Sequence, residues 1–235
     1  NLILLDEAII FNSSHLFGFF SVFNPDAIKD IKLFKGGIPA NYGGRVSSVL
    51  NIYQKDGNSN DFSAEGGIGL ISSRLMLEGP LKKEKGSFLI GGRSSYVHLF
   101  LPLIESVKDN KAYFYDLNTK VSYTIDPKNN LYLSGYFGRD VFSFANSDNG
   151  FAIEIPWGNA TGSLRWNHLF SDKLFMNTSI IFSDYRFEFN LAQSDFEFKI
   201  FSGINDWNTK VDFLFQPNQR HTIKFGANYT SVSYT

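Results

Sequence analysis

The feature that most constrains this chain is a set of long segments in which apolar and polar residues alternate with a period of two. In residues 112–125, one face carries tyrosine, leucine, valine and isoleucine side chains, and the other carries Asp116, Asn118 and Lys120. Because successive side chains of a strand point to opposite faces, this alternation predicts a β-strand with one apolar and one wet face. The same pattern recurs in residues 130–141, 160–170 and 222–230.

Strands of this kind fill most of the chain after residue 58. The pattern predicts nine of them, in residues 62–69, 72–80, 86–97, 112–125, 130–141, 157–170, 173–190, 196–215 and 220–235. Several reach about ten residues or more, which exceeds the usual globular strand and matches the length that crosses a bilayer at a tilt. In residues 174–190 and 196–215 the apolar phase slips midway, which indicates either a bulge or the point where the strand leaves its apolar band.

The connections between the predicted strands alternate in length. Short turns are predicted at residues 82–85, 126–130, 171–173 and 216–219. Longer connections are predicted at residues 97–111, 142–156 and 191–195. In a transmembrane β-barrel one rim carries tight turns and the other carries extended external loops, so the alternation favours a membrane barrel.

A soluble β-sandwich is the main alternative, because alternating strands with one apolar face also build sandwiches. Two observations favour the barrel. The apolar faces are rich in aromatic residues near the strand ends, as in the aromatic girdles of membrane barrels. The opposite faces carry charges that would be costly in the dry core of a sandwich, namely Asp116, Lys120, Arg165, Lys210 and Asp212.

Composition excludes several classes of protein. The 235 residues include 25 Phe and 11 Tyr, but no run of about 18 or more apolar residues, so membrane-spanning helices are excluded. The 22 Lys and Arg balance the 23 Asp and Glu, so no global basic charge indicates a nucleic-acid partner. No cysteine is present, which excludes disulfides, thiolate nucleophiles and cysteine-based zinc sites.

Catalytic constellations are also missing from the sequence. The four histidines, His15, His98, His168 and His221, show no metal-binding spacing, and each is interpreted as a surface, rim or lumen residue. No GxSxG motif or P-loop occurs. The chain is therefore expected not to be an enzyme, and no cofactor or metal site is expected.

The first part of the chain has a different character. Asn24 followed by Pro25 predicts a short helical turn, because Asn caps helices and Pro suits the first helical position. Residues 28–34 then predict a strand, and a polar cluster at residues 54–61 marks the change to long alternating segments. We therefore predict two domains, residues 1–57 and residues 58–235.

Residues 24–52 read NPDAIKDIKLFKGGIPANYGGRVSSVLNI. This stretch resembles the end of the plug domain of TonB-dependent outer-membrane receptors, where a helix leads into a strand, a lysine-glycine turn, a small-residue loop closing on Tyr-Gly, and a strand toward the barrel. Residues 77–96 resemble the first barrel hairpin of the same family, and residues 114–140 resemble its Bacteroidetes-type members. The resemblance spans nearly the whole chain.

The resemblance implies a fold, a location and partners. Residues 1–57 would be the C-terminal part of a small α+β plug domain, and residues 58–235 would supply about nine strands of an antiparallel transmembrane β-barrel of about 22 strands. The family resides in the bacterial outer membrane, so outer-membrane lipids are expected partners. The TonB energy-transducing protein is expected to act through a region outside this chain, and a surface lipoprotein is expected over the external loops.

The resemblance also implies which residues form the turn of the plug beside the barrel wall. These are Gly36, Gly37, Tyr42, Gly43 and Gly44, of which the glycines take positive φ without strain. A purely structural turn is favoured over contact with a ligand.

Arg45 is expected at the junction of plug and barrel, where burial would require a carboxylate partner. Glu65 and Glu78 in the first two barrel strands are the candidate partners. An arginine in a watery lumen would need no partner, and this alternative stays open.

Three functional hypotheses follow. The chain belongs to a receptor that imports an external nutrient through a plugged barrel, to a non-transporting scaffold or assembly component of an outer-membrane complex, or to a soluble adhesion or lectin-like sandwich. The substrate is not identified, because the aromatic residues that suit stacking on sugars or peptides suit the membrane interface or loop packing equally well. These residues are Tyr96, Phe142, Phe144, Phe151 and Trp157.

Overall fold

The structure is a computed structural model that describes residues 1–43, 47–146 and 150–235. Within the described part of residues 1–57, here called the N-terminal segment, six short strands occur: β1 (Leu2–Leu5), β2 (Ala8–Ile9), β3 (Ser14–His15), β4 (Phe20–Ser21), β5 (Ile28–Phe34) and β6 (Val49–Gln54). The side chain of Asn24 accepts a hydrogen bond from the Asp26 amide at 3.1 Å and caps the 3₁₀ turn Pro25–Ala27. The predicted helical turn and the strand that follows it are confirmed.

Strands β1, β2, β5 and β6 form a mixed sheet in the order β2-β1-β6-β5. The β1 and β6 strands pair in parallel, and the other two pairs are antiparallel. A core cluster joins Leu5, Val22 and Ile52 of this segment to Tyr136 from the second part of the chain. Because this burial removes apolar surface of both parts from water, it holds them together.

Nine strands of the described residues after residue 57 form one antiparallel sheet, here called the large sheet, in which each strand pairs with its neighbours in sequence. They are β7 (Ser63–Ile68), β8 (Ser72–Lys82), β9 (Gly86–Ser95), β10 (Lys111–Asp126), β11 (Asn129–Asn146), β12 (Phe151–Ser171), β13 (Leu174–Gln193), β14 (Phe196–Asn218) and β15 (His221–Tyr234). Each predicted strand has a counterpart here. The total of about 22 strands concerns a whole barrel and stays a prediction.

The two faces of the large sheet differ as the alternation predicts. We call the rim with the turns after β8, β10, β12 and β14 the lower rim, and the face that contacts the N-terminal segment the inner face. In the lower part, Leu133, Leu164 and Ile180 form one row of the outer face and are about half exposed. Ser134 and Ser163 in the adjacent row point inward and are buried.

Aromatic rings pair on the outer face. The ring centroids of Phe182 and Trp207 lie 4.8 Å apart, and those of Phe213 and Phe225 lie 5.0 Å apart in a stacked arrangement. An apolar outer surface with aromatic rings is the pattern of strands that face lipid.

Two of the three long connections predicted from the sequence are wrong. Residues 142–156 belong mostly to β11 and β12, and residues 191–195 contain a tight turn between β13 and β14. Residues 97–110 do form an irregular connection, which contains three short 3₁₀ turns. Among the residues that the structure describes, no helix is long and apolar enough to cross a membrane.

The connection from the N-terminal segment to the large sheet is held tightly against β9 at Gly57. The backbone of Gly57 has a φ of +81°, and a Cβ atom there would collide with the backbone carbonyl of Phe88. The carbonyl of the preceding residue, Asp56, accepts a hydrogen bond from the Ser87 hydroxyl at 2.5 Å. Glycine is therefore required both for the left-handed backbone and for the close approach.

We predict that Gly57→Ala weakens the attachment of the N-terminal segment by about 1–3 kcal/mol, because the new methyl group collides with backbone atoms that cannot rotate away. The urea dependence of protease protection of residues 1–54 measures this loss.

Gly37→Ala is the matched control, because Gly37 also has a positive φ, of +59°, but a Cβ atom there meets no atom within 4 Å. The control should weaken the attachment by only about 1 kcal/mol, which is the cost of placing alanine in a left-handed conformation. Equal sensitivity of both variants to urea would contradict the role assigned to close packing at Gly57.

Candidate functional site

The inner face of the large sheet holds a buried charged cluster around His15. The Nδ1 atom of His15 lies 2.7 Å from Asp140, and its Nε2 atom lies 3.1 Å from Asp116. Arg93 forms an ion pair with the same Asp116 carboxylate and donates hydrogen bonds to the carbonyls of Ser21 and Val22. The cluster therefore ties three strands of the large sheet to the N-terminal segment.

The His15 cluster is electrically balanced when the imidazole is protonated. Burial lowers the pKa of His15, but the hydrogen bonds to Asp116 and Asp140 and their charges outweigh it, so the pKa is raised above its ordinary value of 6.5. Protonated His15 and Arg93 then match the two carboxylates. The ring stacks on Phe114 with centroids 4.2 Å apart, which holds the imidazole between its partners.

A second buried cluster lies nearer the lower rim. The Nζ atom of Lys120 lies 3.3 Å from Asp6 and 3.2 Å from Asp56, and donates to the Gln54 carbonyl at 2.8 Å. Lys29 forms another ion pair with Asp56 at 2.5 Å. Burial raises the pKa of Asp56, but the hydrogen bonds and charges of the two lysines outweigh it and lower the pKa below 3.8. This cluster fastens β10 to both ends of the N-terminal segment.

Strand β12 adds two further contacts. The guanidinium of Arg165 lies 3.9 Å from the Glu7 carboxylate. The side-chain oxygen of Asn159 accepts hydrogen bonds from the amides of Phe11 and Asn12, and its NH₂ group donates to the Asn12 carbonyl at 2.9 Å. The wet faces predicted from the alternation are thus the faces that bind the N-terminal segment.

Directly after His15, the N-terminal segment forms a strained loop. Leu16, Phe17 and Gly18 have φ angles of 48°, 58° and 106°. For residues other than glycine such a backbone costs about 1–3 kcal/mol each and persists only where the surroundings impose it. Here the Leu16 amide donates to Asp140 at 2.8 Å, so the loop is fixed by the same carboxylate that holds His15.

Aromatic rings surround this loop. The Phe17 ring lies 5.2 Å from that of Phe142 and 4.7 Å from that of Trp157, measured between centroids. Phe19 has 85% of its surface exposed, and Phe17 has 61% exposed. Large exposed rings on a strained and anchored backbone are typical of a binding surface.

Above this loop, toward the upper rim, the two faces of the large sheet exchange polarity. By alternation from Phe142, which contacts the loop, one inward row consists of Phe144, Ile153, Leu191 and Phe198. The outward row beside it consists of Ser143, Glu154, Asn190 and Lys199. We call the inward apolar surface the vestibule wall, and it comprises Phe142, Phe144, Phe151, Ile153, Ile155, Phe189, Leu191, Phe196, Phe198 and Ile200.

The exchange of polarity explains the slips in apolar phase. The pairing of β13 with β14 runs without a register shift from Leu174 to Gln193, so the strands leave their apolar band and do not bulge. Of the five aromatic residues considered for stacking on a ligand, Phe142, Phe144, Phe151 and Trp157 lie on the inner face. The hydroxyl of Tyr96 instead donates a hydrogen bond to the Gly69 carbonyl at 2.5 Å.

Of the residues expected at the plug turn, Tyr42 contacts the large sheet. The Lys210 Nζ atom lies 5.9 Å from the centre of the Tyr42 ring. A Cβ atom at Gly36, Gly37 or Gly43 would meet no atom within 4 Å, and of these three Gly37 has a positive φ. Their expected role beside the barrel wall stays a prediction.

Gly44 and Arg45 lie outside the residues that the structure describes, so the tether expected of Arg45 also stays a prediction. Its candidate partners, Glu65 and Glu78, both lie on the inner face by alternation along β7 and β8. Glu65 lies 4.0 Å from Arg74, and Glu78 makes no ion pair with any described residue.

The interpretation of His15 as a surface, rim or lumen residue is wrong, because the side chain is 1% exposed. A signal for its role existed in the sequence: Asp116 lies on a wet face, and a buried carboxylate needs a cationic or hydrogen-bonding partner. No group of three or more metal-ligating side chains suited to a metal ion occurs within residues 1–43, 47–146 and 150–235.

No protein-family model and no curated protein matches the sequence. Solved structures do match. The ferric-catecholate import receptor Fiu of E. coli K12 matches 100% of this chain with a TM-score of 0.73 and 12% identity. A mutant of the ferric enterobactin receptor PfeA of Pseudomonas aeruginosa matches 97% with a TM-score of 0.66 and 15% identity, and BauA, the ferric preacinetobactin receptor of Acinetobacter baumannii, matches 100% with 0.67 and 11%.

This chain has the fold of the TonB-dependent siderophore receptors. The resemblance to TonB-dependent outer-membrane receptors is therefore confirmed for the fold, whereas nothing in these matches concerns the Bacteroidetes-type variety. The three matched proteins are receptors for ferric compounds, and Fiu is an import receptor. The chain covers 42%, 40% and 39% of the three receptors, so it spans about two fifths of their length.

We predict that attachment of the loop after His15 weakens as the pH rises from 6 to 9. The folded pKa of His15 is raised, so the stabilisation from its protonated form is complete below the ordinary pKa of 6.5 and is lost as the pH passes the raised value. Hydrogen exchange of residues 14–23, corrected for the intrinsic pH dependence of exchange, measures the effect.

His15→Gln should remove this pH dependence and leave the loop less protected even at pH 6, because two buried carboxylates then share one cation. His168→Gln is the control, because His168 lies on β12 of the large sheet and its Nδ1 atom lies 2.7 Å from Asn129, remote from the cluster. A pH dependence that survives His15→Gln would show that another group is responsible.

Proposed function

We propose that this chain is part of a TonB-dependent outer-membrane receptor that binds an external nutrient and imports it through a plugged barrel. Residues 1–57 are assigned as the C-terminal part of the plug, and residues 58–235 as the N-terminal portion of the barrel. The observation that carries the proposal is the position of the N-terminal segment, which is fastened by buried charges to the polar inner face of a sheet whose outer face is apolar.

The nutrient is proposed to bind between the loop at residues 16–19 and the vestibule wall. Phe17 and Phe19 of this loop have exposed rings, and the wall above the loop is apolar. Such a surface favours a ligand with aromatic or apolar groups, because their transfer from water is favourable by about 25 cal/mol per Å². Ferric catecholate compounds meet this description and are named for one of the matched receptors, and ferric enterobactin is named for another.

Partners follow from the same assignment. Outer-membrane lipids contact the outer face, and the TonB protein acts through a region outside this chain. A surface lipoprotein over the external loops is a further proposed partner. It would contact the upper rim, which is the rim opposite the lower rim.

Import is tested in cells that carry the intact protein from which this chain comes. Uptake of a radiolabelled ferric catecholate should require this protein and should stop when TonB is deleted. Uptake that continues without TonB would contradict the proposed mechanism.

A scaffold that keeps the plug permanently in place is the alternative, and the two buried ion clusters favour it. Lys120 with Asp6 and His15 with Asp140 must separate before the N-terminal segment can move. A disulfide between the N-terminal segment and an adjacent inner-face position of β10 distinguishes the receptor from the scaffold. It should abolish import by a receptor and leave a scaffold functional.

We predict that Phe19→Ala lowers the affinity of the intact protein for its ligand about tenfold, because an exposed ring that stacks on a ligand contributes about 1.4 kcal/mol. Ferric enterobactin, a neutral oligosaccharide and a hydrophobic peptide are the probes, and quenching of tryptophan fluorescence reports their binding.

Phe62→Ala is the matched control, because Phe62 is 64% exposed but lies just before β7, away from the loop. The Phe62→Ala variant should bind the probe that the wild type binds, with the same affinity. Equal affinities of the Phe19→Ala variant and the wild type would remove the loop from the binding site.

A further inference from the structure

Two arginines point outward from the large sheet at the same height. In the register, Arg139 of β11 faces Gly158 of β12, and Gly158 faces Arg186 of β13. The three residues thus form one row on the outer face. Because neighbouring strands lie about 4.8 Å apart, the two arginine Cα atoms are separated by about 10 Å, with no side chain between them.

This row lies one row below the upper edge of the apolar outer band, because the outward row above it still contains Tyr113, Val141 and Pro156. The outward row directly below contains Leu117, Phe137, Ala160 and Asp184, and Tyr115 extends the arginine row onto β10. Two rows above the arginines, the outward side chains are polar, namely Lys111, Ser143, Glu154, Asn190 and Lys199. In a sheet that crosses a membrane, the arginines therefore lie at the level of the lipid headgroups, where aromatic rings and long cationic side chains are common.

A groove of about 210 Å³ opens between the arginines. Gly158 forms its floor, and Phe137, Pro156 and Ala160 are among the residues that line it. A Cβ atom at Gly158 would lie 2.5 Å from the carbonyl oxygen of Gly138, so only glycine fits and the depression is a fixed part of the sheet.

The positive and negative charges around the groove balance one another. Arg139 is exposed and makes no ion pair or hydrogen bond through its guanidinium with any described residue. The Arg186 side chain is 66% exposed and lies 2.9 Å from Asp184, and Glu188 also lines the groove. Two cations and two carboxylates create no long-range field, so recognition depends on the fork of the guanidinium, which matches phosphate oxygens in pairs.

We propose that Arg139 and Arg186 bind the phosphate group of an outer-leaflet lipid headgroup. The inference rests on the proposed membrane location, because the arginines face lipid only if the outer face does. A lipid fits better than a free phosphate, since below Ala160, which has Asp184 beside it, the outer face continues through Gly162, Phe182 and Leu164 as an apolar surface along which an acyl chain can lie.

The test uses the intact protein, reconstituted in phosphatidylcholine vesicles that contain either lipid A with its phosphates or dephosphorylated lipid A. After extraction into detergent, the lipid A retained per protein is measured by mass spectrometry. The wild type should retain at least about fivefold more of the phosphorylated form, and the variant Arg139→Gln with Arg186→Gln should lose this preference.

Lys111→Ala with Lys199→Ala is the matched control. Both lysines belong to the outward row two rows above the arginines, as the continuous register through Ser143, Glu154 and Asn190 places them. The control removes the same number of positive charges about 13 Å higher along the strands and should retain lipid A like the wild type.

The outcomes separate this inference from the proposed function. Equal retention of both lipid A forms by the wild type, or an equal loss in both double variants, would overturn the arginine site while the membrane location stands. Displacement of the retained lipid by millimolar inorganic phosphate would also overturn it, because the site would then recognise free phosphate. A wild-type protein that leaves membranes without detergent would overturn the proposed membrane location itself.

Discussion

The charges buried between the N-terminal segment and the inner face of the large sheet are the constraint on which the rest of the structure depends. A sheet with an apolar outer face must place its polar side chains on the other side, and there Lys120 and Asp116 are almost completely removed from water. Buried charges of this kind are tolerated only when partners of opposite charge and hydrogen bonds satisfy them. The N-terminal segment supplies those partners in Asp6 and His15.

The same requirement decides where the sheet can be apolar. In the lower part the inner face meets a charged segment and the outer face is apolar, whereas above the loop at residues 16–19 the segment ends and the polarity is exchanged. An outward row such as Glu154 and Lys199 is suited to water, whereas the inward row carries the exposed apolar side chains of Phe144 and Phe198. One sheet therefore has two environments, separated by the height of the strained loop.

The alternation of apolar and polar residues was enough to predict the nine strands, because its period of two is the same whichever face is apolar. It failed between residues 142 and 156 and near residue 193, where the exchange of polarity interrupts the pattern and long strands were interpreted as loops. The buried role of His15 was also missed, since its partners Asp116 and Asp140 are more than a hundred residues away along the chain. Periodicity indicates the environment of each face of a strand. It contains no information on which distant side chain neutralises a buried charge.

The strained loop joins the two environments physically. Asp140 accepts a hydrogen bond from the Leu16 amide and contacts the His15 ring, while the next residue, Phe17, packs on Phe142 and Trp157 at the base of the vestibule wall. The backbone of Phe17 thus lies within two residues of a buried ion pair. Because Leu16 and Phe17 both hold left-handed conformations, relaxing either one releases about 1–3 kcal/mol, comparable to the energy of one contact in the His15 cluster. The loop therefore links the base of the vestibule wall to the His15 cluster through two consecutive residues, Leu16 and Phe17.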